Sequence, residues 1–148
     1  MTTIVIDANI ILSAILNPFG IIPKIIITGS NKSEFVLPSF ALEEIRIHKR
    51  KICRQVGIGT AEFDLLLEQL LNYLLVVSSD EIRPDSITAA ENLTAAIDVK
   101  DTIYVALTIE LDALLWTGDK KLYNGLRRKK FNAVISTQEL KHTLKGLF

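Results

Sequence analysis

One cysteine, Cys53, is present in a chain of 148 residues. No internal disulfide can form, and a reduced, cytoplasmic setting is the natural expectation. Histidine is almost as scarce. His48 and His142, with Cys53, are too few and too scattered for a zinc site. The N-terminus has no basic segment leading into an apolar stretch and a small-residue cleavage site. No apolar run reaches the roughly 18 residues that a membrane span needs. Neither sign of charge is in excess, since 17 Lys and Arg balance 17 Asp and Glu, so the totals point to no nucleic-acid partner. Proline amounts to 4 residues, and there is no proline-rich linker, internal repeat or low-complexity tract.

What is present is apolar. The hydrophobic fraction of 49 % suits a well-packed core with surface left for a subunit contact. The length fits a single domain over residues 1–148. Five short β-type runs alternate with longer segments: "TIVID", "FVLP" (Phe35–Pro38), "LLVVSS" (Leu74–Ser79), "LLWT" (Leu114–Thr117) and "AVIST" (Ala133–Thr137). They are nearly continuous in apolar residues, as strands covered on both faces are. Among the helix-like segments, "TAEFDLLLEQLLNYLL" (Thr60–Leu75) has Thr60 as its candidate N-cap. "DTIYVALTIEL" (Asp101–Leu111) places Ile103, Ala106, Leu107 and Ile109 inward at helical spacing. "IIPKIIITG" (Ile21–Gly29) is β-branched enough for a strand, but its place between the first two runs calls for a crossover helix. The pattern predicts an α/β fold on a parallel sheet.

Ligands of such sheets bind outside the carboxyl ends of the strands, where strand order reverses. Acidic residues fall at those ends. Asp7 closes the first run, Glu43 and Glu44 open the segment after "FVLP", and Asp119 follows the fourth run in "WTGDKKL". Asp98 and Asp101, in "DVKD", begin the helix leading into that run. Taken singly, Asp7 could start a turn, Asp98, Asp101 or Asp119 could cap a helix, and one of the two glutamates must face solvent. Taken together, converging carboxylates repel unless a cation neutralises them, and hard oxygen donors suit Mg²⁺ or Mn²⁺. An ion so held is apparatus for attack on a phosphate ester.

The chain resembles the PIN-domain family of metal-dependent ribonucleases, over almost its whole length. "VIDANIILSAILNP" is similar to the family's opening strand with Asp-x-Asn, and "LPSFALEEIRIHKRKI" to the segment with its helical Glu. "DVKDTIYVALTIELDALLWTGDKKL" is the most specific match, and "VISTQEL" resembles the closing strand and helix. The resemblance implies a three-layer α/β/α sandwich on a mostly parallel sheet of about five strands. It also implies a Mg²⁺- or Mn²⁺-dependent endoribonuclease that leaves 5′-phosphate and 3′-hydroxyl ends through an activated water. Residue by residue it implies Asp7, Glu44, Asp101 and Asp119 as the catalytic, metal-holding acids, with Glu43 as the alternative to Glu44. Asn9, Thr117 and Asp98 take supporting positions, Asn9 through its amide and Thr117 through its hydroxyl. A homodimer is implied as well, and a toxin of the VapBC type silenced by a small antitoxin protein fits the same pattern.

An RNA substrate needs cations. "RIHKRKICR" supplies Arg46, Lys49 and Arg50 after the helical Glu, and "DKKLYNGLRRKKF" supplies Lys120, Lys121, Arg127 and Arg128 after the last acid. A solvated basic face is the ordinary alternative. Cys53 and Trp116 read as core residues. Two other classes compete. A Mg²⁺ phosphatase with Asp7 as nucleophile usually has a second acid two residues on, where this chain has Asn9. A catalytically silent interaction module has no need of acids at all four positions.

Overall fold

The structure, a computed structural model, describes residues 1–144; residues 145–148 of the expected domain lie outside that part. The chain begins with β1 (Thr2–Ile6), α1 (Ala8–Leu16), α2 (Ile21–Gly29) and β2 (Ser33–Pro38). It continues with α3 (Ser39–Val56), α4 (Thr60–Leu71) and β3 (Leu74–Val77). A 3₁₀ turn (Ser79–Glu81), α5 (Pro84–Thr94), a second 3₁₀ turn (Val99–Asp101) and α6 (Thr102–Glu110) follow. The last elements are β4 (Leu114–Trp116), α7 (Lys120–Arg128), β5 (Val134–Ile135) and α8 (Thr137–Thr143).

The strands form one five-stranded sheet in the order β3-β2-β1-β4-β5, and every pairing is parallel. Register places Val5 beside Val36 on one side and Leu115 on the other. The central strands are as apolar as the sequence predicts, with Val5, Ile6, Val36, Leu37, Leu115 and Trp116 wholly buried. Helices α1 to α4 pack on one another as one set, and α5 to α7 as another. The result is the three-layer α/β/α sandwich.

The ambiguous segment 21–29 is a helix, because the parallel pairing of β1 with β2 requires a crossover there. Three expectations need correction. The third run is not covered on both faces, since Leu75 and Val76 on edge strand β3 are 51 % and 40 % exposed. Thr60 is the first helical residue of α4 rather than its cap, which is Gly59, and the helix ends at Leu71 so that β3 can begin at Leu74. In α6 the buried residues are the unbroken stretch Tyr104–Thr108, with Ile103 and Ile109 only half-buried, because the helix is packed on by α5 and by β1, β2 and β4.

Among the described residues no single helix is long and apolar enough to cross a membrane. The apolar pair α1 and α2, bent by 117°, contributes instead to the core through Ile10, Ile11, Ile15, Ile25 and Ile26.

Candidate active site

The chain adds β2 and β3 on one side of β1 and then returns to add β4 and β5 on the other. Strand order therefore reverses between β1 and β4, which makes their carboxyl ends the switch point of the sheet.

Asp7 is the residue after β1 and the N-cap of α1, and it is only 4 % exposed. Its Oδ1 accepts the backbone N–H of Asn9 at 3.0 Å, and its Oδ2 accepts the Thr117 hydroxyl at 3.1 Å. Thr117, buried at the end of β4, accepts the Asp119 N–H on the same oxygen at 3.1 Å. One hydroxyl thus joins the ends of the two central strands. Burial pushes the Asp7 carboxyl above its ordinary value; the Asn9 and Thr117 bonds pull it partly back, and the charges of Glu44 and Asp119 raise it again. The support expected from the Asn9 amide comes from its backbone instead. Its side chain is exposed, and an N–H in the first turn is the natural partner of an N-cap carboxylate.

Asp119 caps α7, its Oδ1 accepting Lys121 N–H at 2.9 Å and Leu122 N–H at 3.2 Å. Asp98 is exposed and caps the second 3₁₀ turn through Lys100 N–H at 2.9 Å. Asp101 behaves differently. It begins α6, yet its side chain makes no capping bond. Its carboxyl is pushed up to about 7, first by burial and then by the charges of Asp7, Asp98, Asp119 and Glu44. Glu44 is half-buried and accepts the Tyr104 phenol at 2.6 Å on Oε1, whereas Glu43 is exposed. Of the two glutamates, Glu44 faces this edge, because Ala41 and Ile45 bury the adjoining face of α3.

The basic residues divide. Lys49 pairs with Asp64 at 2.6 Å and lies over the Phe63 ring, so it holds α3 to α4. Arg127 donates to Val134 O at 3.1 Å, pairs with Glu139 at 3.5 Å and stacks on Tyr123. Both belong to the basic clusters that the sequence offers to RNA, and both have structural work between elements. Arg46, Arg50, Lys121 and Arg128 are exposed. Lys120 is exposed and lines a cavity of about 1110 Å³ that opens beside Thr117 and Asp119 and runs over α7 and α8. Asn124, Gln138, Lys141 and His142 line it too. Neither Lys141 nor Tyr104 is singled out by the motifs that stand out in the sequence. Tyr104 could have been found, since it follows Asp101 by three residues on the same helix.

Acids from distant parts of the chain therefore bear on Asp7 and Asp101, and all their ligating atoms are hard oxygens. That set fits a divalent cation, whose charge would relieve the repulsion now raising Asp7 and Asp101. Among the described residues, no three His, Cys, Asp or Glu side chains already stand together closely enough to hold one ion. Both Asp7 oxygens, one of Glu44 and one of Asp119 accept protein donors, and each of these oxygens keeps a second lone pair.

A parallel α/β/α sandwich with carboxylates at its switch point defines the class. The sequence model of the PIN domain matches residues 5–143, and the chain belongs to that family. PIN domains are generally nucleases and generally use divalent metals. A structure of VapBC2 from Rickettsia felis bound to a DNA fragment from their promoter is similar in fold, with a TM-score of 0.68 at 14 % identity. The similarity covers 91 % of this chain and 97 % of that one. Among curated proteins no relative matches the sequence.

Proposed function

We propose that this PIN domain is a cytoplasmic endoribonuclease that hydrolyses RNA phosphodiesters with a Mg²⁺ or Mn²⁺ ion. The observation that carries the reading is the gathering of Asp7, Glu44 and Asp119 around Asp101 at the switch point of the sheet, where Thr117 bonds both Asp7 and Asp119. These four residues would hold the ion. When bound, it supplies charge to offset that of the phosphate and lowers the pKa of a water. The chain's own residues do the rest. Thr117 and the Asn9 N–H fix the orientation of Asp7. Lys120 and Lys141 lie along the adjoining cavity, where a phosphate backbone would follow them.

The test is cleavage of labelled single-stranded and structured RNAs in Mg²⁺, Mn²⁺ or EDTA. Cleavage should require metal and should fall by at least 100-fold in Asp7→Asn, the scale on which one charge-stabilising group acts. Wild-type rates in that variant would overturn the assignment.

A protein partner is supported independently by the likeness in fold to a structure of VapBC2 bound to promoter DNA. On this reading the nuclease is the toxin of a pair and a small antitoxin silences it. Co-purification with the product of a short upstream reading frame, with loss of cleavage in the complex, is the expected result.

A further inference from the structure

We propose that Tyr104 is a positioning residue for Glu44, fixing the orientation in which that carboxylate meets a divalent ion. The inference rests on the metal-site reading above and adds to it a residue that is not itself a ligand.

Tyr104 is 2 % exposed, and its hydroxyl donates to Glu44 Oε1 at 2.6 Å, a short bond of the charge-assisted kind. The ring is held independently, since it meets Phe40 edge-on at 6.3 Å between centroids. Phe40 and Glu44 are four residues apart on α3, so one face of that helix presents both to the tyrosine. Tyr104 itself sits three residues after Asp101, on the helix that Asp101 begins. The phenol therefore ties a carboxylate from α3 to the start of α6, and these helices belong to the two different packing sets. An ordinary phenol is protonated at neutral pH, so the hydroxyl is the donor in this bond. One Glu44 oxygen is engaged and the other is left for a ligand. A glutamate has three side-chain torsions to immobilise, and a half-buried one without this bond would sample several rotamers. Hydrogen bonds of this kind to ligating carboxylates are worth about 10- to 100-fold in metal affinity.

The test uses the full chain and Mn²⁺ alone, with binding read by the resonance signal of free Mn²⁺ and no RNA present. Tyr104→Phe removes only the hydroxyl and leaves the ring against Phe40. The expected result is a rise of about tenfold or more in the Mn²⁺ dissociation constant. Because the phenol acts through Glu44, adding Tyr104→Phe to Glu44→Gln should weaken binding no further. Equal affinities in wild type and Tyr104→Phe would overturn the inference while leaving the metal site standing. So would a full additional loss in the double variant, which would show that Tyr104 acts by another route. A wild-type protein that binds no Mn²⁺ would overturn the metal-site reading and this inference with it.

Discussion

A carboxyl pushed up to about 7 in the folded chain, from an ordinary value of 3.8, gives Asp101 a measurable signature. The folded state binds this proton more tightly than the unfolded state does, so stability falls as pH rises between those two values. In EDTA at pH 8, Asp101→Asn should therefore be more stable than wild type, and the difference should vanish below about pH 4. Solvent screening of a half-exposed group limits the gain to the order of 1 kcal/mol. On the proposed metal site, adding Mn²⁺ at pH 8 should reverse the order, because wild type would gain from ion binding and the variant would lack a ligand. Thermal unfolding at the two pH values, with and without metal, checks both signs. The same proton must leave when an ion binds, so metal affinity should weaken as pH falls below 7.

Elements end where single residues let them. Helix α3 stops at Gly57, whose φ of 71° is left-handed and whose N–H reaches Cys53 O at 2.9 Å. Helix α7 stops in the same way, but on a lysine. Lys130 has φ 64°, its N–H reaches Arg127 O, and Phe131 N–H reaches Leu126 O at 2.9 Å. A residue with a Cβ is strained in this position and glycine is not. Lys130→Gly should stabilise the protein by about 0.5 kcal/mol, and Gly57→Ala should cost about 1 kcal/mol. Urea unfolding of the pair reads both, and like signs would contradict the argument. The sequence could place these ends only approximately. Thr60 looked like a cap because Thr often is one, yet the chain enters α4 through Gly59.

At the scale of the whole molecule, the cavity beside Asp119 joins the acids to the surface of α7 and α8. If RNA follows it, Lys120→Ala with Lys141→Ala should lower the slope of log affinity against log salt by about 1.4, at roughly 0.7 for each of two phosphate contacts. Asp7→Asn protein, which should bind without cutting, is the background for that titration. Lys49→Ala should leave the slope unchanged and instead loosen α3 from α4, since its partner is Asp64. These two outcomes separate cations that meet substrate from cations that hold the fold, a distinction invisible in "RIHKRKICR". Asp64 lies on the next helix, and only the packing of α3 on α4 brings it to Lys49.

The sequence alone determined the parallel sheet and the strand end on which Asp7 sits, because burial periodicity and turn chemistry are local properties, while the three layers came from the family resemblance. It also carried the family pattern, spread over residues 5–143. Only the tertiary structure decided which glutamate faces the edge, because helix phase is set by what Ala41 and Ile45 bury against. It decided that Thr117 joins two strand ends, and that Tyr104 reaches Glu44 across 60 residues of chain. Both are contacts between segments far apart in sequence, and the first exists only once β1 and β4 lie side by side.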